Sequence, residues 1–397
     1  WQAWSPWPAP LDPRPVEVLD DEPYRQTDHL FALQTHGIDL ALAGRSGTFV
    51  EAVLGGADRL QFHRWAATGI LQLGGDRPGY GGALAYANQK AAPFTLAADA
   101  MALRYHDTWP TPPSLMSPAP RELGPFLLEK TLLEGHLTVA RDFWGAPAKA
   151  GFVAVDDEQP DEPTLLVKRR RVAGPFVSAT YAGVESTPYT GVRRALVLAP
   201  SLELFPGAWN SAGAMLTDAR MEADVVLPLP LSRRHTLTVD LVGRDLGGLP
   251  AGARWLQVGG GLTAVSRRPD VAPPPEVKID ALPDVVFQES LRGYEDYPIA
   301  TDRIFIAEAA YRYPLIVDRG PLSVLWVLPS AFLSQIDLEL FGSAATDGHG
   351  GPAHAAGGGA VTLELAIWRL PLSLTYQVAR RVEDDRALVQ LVAVKAQ

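Results

Sequence analysis

Residues Met215 to Leu227 alternate between two kinds of position. Met215, Thr217, Ala219, Met221, Ala223, Val225 and Leu227 form one set; Leu216, Asp218, Arg220, Glu222, Asp224 and Val226 form the other. A period of two belongs to a β-strand, whose successive side chains leave opposite faces. Pro228-Leu229-Pro230 then turns the chain. His235–Val242 repeats the pattern, with Leu237, Val239 and Leu241 opposite Thr236, Thr238 and Asp240. Four charges on one face are expensive in a dry sandwich core. They suit solvent, or the wet inner wall of a wide barrel.

The same reading predicts nine strands upstream of this hairpin: His29–Ala43, Thr48–Gly55, Leu60–Leu73, Tyr80–Asn88, Phe94–Tyr105, Phe126–Arg141, Lys149–Val155, Arg170–Tyr181 and Val192–Leu204. Five follow downstream: Arg303–Tyr313 (stopping at Pro314), Leu333–Phe341, Val361–Arg369, Leu372–Val378 and Ala387–Val394. No helix is predicted to cover the apolar faces. Between the two groups lies a Gly- and Pro-rich connection, Leu246 to Asp284, and then a polar loop, 285–302. A connection this long is usually functional. Leu370-Pro371 is a very short turn, whereas Thr346 to Gly359 reads as a long loop. Short turns on one rim and long loops on the other are the asymmetry of outer-membrane barrels.

The expected fold is therefore all-β: a transmembrane antiparallel β-barrel of about 16 strands, an even number as such barrels need. A soluble sandwich or propeller also shows such alternation. Lipid demands closure, because an open edge leaves unpaired N–H and C=O groups in hydrocarbon. Residues 1–28 carry six prolines and three tryptophans and read as a linker or the tail of an upstream domain; residues 29–397 are the expected barrel. A chain opening at Trp1 without Met reads as a mature or trimmed piece of something longer.

The net charge of −10 argues against nucleic acid, whose binders need a basic face. The one basic run, Lys168-Arg169-Arg170-Arg171, reads as a solvated strand or loop edge. There is no cysteine, which excludes disulfides, thiol catalysis and Cys-ligated zinc. No apolar run approaches the length of a membrane helix, a test to which barrel strands are blind. His349 and His354, near Asp347, make a poor zinc site. Asp156-Asp157-Glu158 and Glu383-Asp384-Asp385 read as solvated turns, or as contacts for the divalent cations that bridge lipopolysaccharide. No nucleophile elbow, phosphate loop or dinucleotide fingerprint is present. Neither catalytic residue, metal nor cofactor is expected.

One motif is specific. Leu291-Arg292-Gly293-Tyr294 resembles the Arg-Gly-Phe/Tyr motif of the bacterial surface antigen family, barrels of the outer-membrane insertase (BamA-like) superfamily. Asp302-Arg303 and Glu308 to Leu315 are similar to that family's next strand, and five strands follow in both. The segment from Ser5-Pro6-Trp7-Pro8 onward resembles barrels found C-terminal to TolB-like propellers. The resemblance implies an outer-membrane barrel whose motif loop folds into the lumen. It makes Arg292 the arginine that meets wall carboxylates, Gly293 the tight bend and Tyr294 the packed tip. Strand parity puts Glu308 inward with Arg312, and gives Asp337 and Glu339 a shared face, so all three carboxylates are candidate partners. The family's Asp-Gly pair near the end of the strand after the motif strand is replaced by Leu340-Phe341-Gly342-Ser343, which leaves the choice open.

The implied activity is protein insertion, translocation or surface display within a larger assembly. The implied partners are the bilayer, lipopolysaccharide, and periplasmic or surface proteins. A passive pore or a membrane anchor for an upstream domain is the second expectation. A secreted all-β binding module or hydrolase is the third.

Overall fold

In the computed structural model of the chain, alternation becomes two chemically different surfaces. The structure describes residues 30, 33–42, 47–74, 78–109, 126–143, 146–161, 166–187, 191–229, 235–250, 253–259, 287–294, 298–321, 331–367, 370–383 and 387–396. The Pro/Trp-rich 1–28 and the Pro-rich 110–124 lie outside this set. Among the described residues there is no α-helix. The strands are β1 Leu33–Leu42, β2 Thr48–Ala57, β3 His63–Leu73, β4 Gly79–Asn88, β5 Thr95–Trp109, β6 Phe126–Phe143, β7 Ala146–Asp161, β8 Leu166–Ala179, β9 Tyr181–Thr187, β10 Gly191–Phe205, β11 Leu216–Pro228 and β12 Thr236–Gly247. They continue as β13 Leu256–Gly259, β14 Gln288–Ser290, β15 Ile299–Thr301, β16 Arg303–Pro321, β17 Ala331–Thr346, β18 His354–Ile367, β19 Leu370–Arg381 and β20 Ala387–Ala396.

Seventeen of these segments form one antiparallel sheet. β8 and β9 are separated by Thr180 alone and both pair with β10, so they are two halves of one wall strand. Strand β12 passes over the long loop and pairs directly with β16. The wall thus has eleven positions before the loop and five after it. Among the described residues β1 pairs with β20 over four residues, Ile38–Ala41 against Ala393–Ala396, and the pairing returns there to the first strand.

The wall is inverted relative to a soluble sheet. Large apolar side chains point away from the interior, Leu84 at 65%, Leu137 at 63% and Leu340 at 63% exposure. Glu51, Gln72, Glu134, Asp157, Asp218, Arg244, Asp337, Gln377 and Arg381 point inward and are buried. A soluble domain puts its large aliphatic side chains inside. An outward apolar wall around a polar interior belongs in lipid.

The interior is filled by a second, three-stranded sheet in the order β14-β13-β15. β13 and β14 run parallel, and β15 runs antiparallel to β13. Their apolar residues, including Leu256, Val258, Phe287 and Ile299, join inward side chains of the long-loop ends of the wall, such as Phe49, Tyr105, Leu132, Phe205 and Leu216, in one core. The plug is therefore dry on its flanks, which is why these short strands show no alternation: both faces are covered.

Several expectations are corrected here. Strand β16 does not stop at Pro314; it runs to Pro321, and the register shifts between Pro314 and Ile316. Proline offers no ladder N–H, and a shift of register absorbs that loss without ending the strand. The connection read over 246–284 contains a strand, β13. The long loop expected over Thr346–Gly359 spans only 347–353, between β17 and β18. Asp156-Asp157-Glu158 lies inside β7, not in a turn, with Asp157 buried. The basic run is split by the pleat: Arg169 and Arg171 face outward onto Asp156 at 2.6 and 3.0 Å, whereas Arg170 is buried against the Trp255 ring at 5.0 Å.

Candidate functional site

The motif loop enters the lumen at Phe287. Its φ of +69° is unusual for a bulky residue, and burial fixes it there. The ring is buried edge-on to Trp255 at 5.5 Å and to Phe205 at 6.4 Å, and the carbonyl accepts from Gln257 N at 2.9 Å. β14 then adds Gln288, Glu289 and Ser290 beside β13, all buried. Leu291 N donates to Gly259 O at 2.5 Å, and a turn closes with Tyr294 N on Leu291 O at 3.3 Å.

That turn places four motif residues against the wall. Arg292 donates from Nη1 to Glu308 Oε1 at 2.8 Å and from Nε to Gln377 Oε1 at 2.7 Å, and its Nη2 lies 2.6 Å from Glu339 Oε1. Its guanidinium lies over the Phe341 ring, 3.7 Å from the centroid. The planar fork thus meets strands β16, β17 and β19 together, which a lysine cannot do. Burial opposes the Arg292 charge, but Glu339 and Glu308 outweigh it, so the guanidinium holds its proton even more tightly than usual. Ser343 donates to the Arg292 carbonyl at 2.6 Å.

Gly293 has φ +91°, and a Cβ there would stand 2.6 Å from Ala356 Cβ and 3.3 Å from Ala379 Cβ. The backbone therefore lies directly on β18 and β19, where only glycine fits. Tyr294 is buried. Its hydroxyl donates its one proton to Glu383 Oε1 at 2.5 Å and lies 3.1 Å from Ala355 O, and the Arg381 guanidinium lies 4.3 Å from its ring centroid. Glu383 also accepts from His354 Nδ1 at 3.0 Å. Burial pulls Glu383 upward, but its bonds from Tyr294, His354 and backbone N–H groups together hold it below the usual carboxylate range.

Of the three carboxylates named from strand parity, Glu308 and Glu339 meet Arg292. Asp337 does not: it pairs with Arg312 and accepts from Gln335 Nε2 at 2.7 Å. Asp337 and Glu339 share a face, and the two-residue step between them moves a carboxylate by about 7 Å along the strand. Arg292 sits level with Glu339, a height the sequence does not encode.

The sequence reading missed Gln377, Phe341, Ser343, Glu383 and, above all, Glu289. Glu289 Oε1 accepts from Arg220 Nε at 2.8 Å and Arg244 Nη1 at 3.2 Å. Arg244 is itself clasped by Asp218, at 2.5 Å from Nη2 and 2.9 Å from Nε. The alternation had put Asp218 and Arg220 on the polar face of one strand. Nothing in it joined that face to a loop carboxylate 69 residues away.

No protein-family model matches the chain, and no curated protein matches it. Solved structures do. CdiB from Escherichia coli superposes with a TM-score of 0.57 at 11% identity, over 91% of this chain and 61% of that one. BamA from Haemophilus ducreyi lacking POTRA domains 1-3 gives 0.54 at 9% identity, over 91% of this chain and 69% of that one. CdiB from Acinetobacter baumannii gives 0.51 at 10% identity, over 92% and 59%. The chain spans about three-fifths of the length of the two CdiB structures. The shared fold, with the outward apolar wall, is that of a membrane β-barrel. Its architecture is that of CdiB and BamA.

Proposed function

We propose that the chain is the barrel of an outer-membrane protein transporter of the BamA and CdiB kind, acting in protein insertion, translocation or surface display. The observation that carries this reading is the seated plug. A pore that conducts at rest has no use for a lumen filled by a folded three-stranded sheet, fastened at its tip through Arg292. A secreted soluble module has no use for an outward wall of leucines. Among the described residues the short seam pairing between β1 and β20 leaves few hydrogen bonds to open. The bilayer with its lipopolysaccharide, and periplasmic or surface proteins, are the partners this reading assigns.

Reconstitution into liposomes tests it. The purified barrel is expected to accelerate membrane insertion of a small unfolded outer-membrane barrel. In planar bilayers it is expected to be mostly closed, with Arg292→Ala opening it. A wild-type protein that conducts steadily and leaves client insertion unchanged is a passive pore, and the transporter reading then fails.

A further inference from the structure

The motif loop carries two charges that face two different walls. Arg292 sits among carboxylates on β16 and β17, with Gln377 on β19. Glu289 sits between arginines on β11 and β12. Glu289 is 3% exposed at its side chain, Asp218 2% and Arg244 9%. We propose that Glu289, with Arg220, Arg244 and Asp218, is a second latch of opposite polarity. It sets the seat of the plug alongside the Arg292 latch, and the closed lumen needs both, so breaking either one loosens the plug and raises opening. This rests on the reading of the loop as a plug.

Three features carry the inference. Glu289 is the carboxylate that both arginines share: Arg220 also meets Glu222 at 2.5 Å and Arg244 also meets Asp218, so withdrawing Glu289 takes one partner from each arginine at once, Arg244 being buried. Removing one partner of a buried pair is strongly destabilising even where the pair itself contributes little. Secondly, the two latches discriminate among seats. Glu289 and Arg292 are three residues apart, about 10 Å in extended chain. A loop slipped by that spacing brings Glu289 toward Glu308 and Glu339, or Arg292 toward Arg220 and Arg244. Either slip sets like charges together, whereas the observed seat satisfies both ends. Thirdly, the latches hold different parts of the plug. Arg292 holds the turn, while Glu289 lies within β14, hydrogen-bonded to β13. Releasing Arg292 therefore loosens the plug at its tip, and releasing Glu289 loosens it at its sheet.

The test is charge exchange, read as open probability in planar bilayers, with heat-modifiable gel mobility showing that each barrel is folded. Glu289→Arg alone puts three arginines together, and Arg220→Glu alone leaves Arg244 against Asp218, Glu222, Glu289 and the new carboxylate. Each is expected to raise open probability at least roughly tenfold, because each leaves buried charge unpaired. The double variant E289R/R220E restores the balance and is expected to return close to the wild-type closed state. Glu289→Gln, isosteric and uncharged, provides a milder opening variant should Glu289→Arg fail to insert. A closed Glu289→Gln or Glu289→Arg barrel beside an open Arg292→Ala barrel overturns the latch and leaves the transporter reading standing. A folded double variant as open as the single ones overturns the charge pairing. If Arg292→Ala is silent as well, the plug reading falls and the latch falls with it.

Discussion

Replacing Gly293 by alanine inserts one methyl group at the tightest point between plug and wall. Two costs follow from the geometry. At φ +91° an L-residue with a Cβ is strained, by about 1–2 kcal/mol. The new Cβ would also lie 2.6 Å from Ala356 Cβ, well inside ordinary contact, so loop and wall must part by about an ångström; overpacking of this kind costs about 1–3 kcal/mol. Together they amount to about 2–5 kcal/mol against the seated plug, or a shift in its seating equilibrium of roughly 30-fold to over 1,000-fold. The strands of the barrel are not touched, so the barrel should still fold. Open probability in planar bilayers and protease access to the loop should both rise. The compensating variant G293A/A356G removes the overlap but not the backbone strain, and should recover part of the loss. A Gly293→Ala barrel as closed and as protected as wild type would show that the tip does not press on β18, and the seating argument would be wrong.

Other outcomes follow from the same geometry. Arg292→Lys keeps the charge but loses the fork and the ring contact, so it should lie between wild type and Arg292→Ala in bilayer conductance. Phe341→Leu removes the cation–π contact and should weaken plug seating by about 1–2 kcal/mol, seen as raised open probability with an unchanged unfolding temperature. Glu383 has a lowered folded-state pKa, so its contribution is complete above the ordinary carboxylate value and is lost only as pH falls below it. The Glu383 contribution to seating of the Tyr294 tip should therefore be constant down to about pH 5 and be lost in stronger acid, and Glu383→Gln should abolish that acid loss. Leu137→Arg, on the lipid face, should reduce barrel stability in bilayers by about 2–4 kcal/mol if it lies near the midplane. A protein that stays monomeric and soluble without detergent would contradict the membrane assignment itself.

Strand parity was legible because it is written locally. A residue two positions along returns to the same face, so Met221 could be assigned outward and Asp218 inward from thirteen residues alone. The position of the loop, after eleven wall strands and before five, followed from counting such segments. Leu291 to Tyr294 were legible because Arg-Gly-aromatic is a resemblance of sequence. What failed was local in a different sense. β13 and β14 are too short, and covered on too many sides, to alternate. Pro314 was read as a stop because the ladder's tolerance of a register shift is a property of the neighbouring strand.

The sequence by itself determined that the chain alternates, that its polar faces are too charged for a dry core, and that Arg292 needs carboxylates. Only the tertiary structure decided which ones. Glu339 and not Asp337 meets Arg292 because the depth of the plug sets the level of its tip, and that depth is fixed by packing of Phe287, Leu256 and Ile299 against many strands at once. Glu289 found Arg220 and Arg244 for the same reason. Long-range ion pairs depend on three-dimensional height and angle within the barrel, and alternation, whose period is two residues, carries neither.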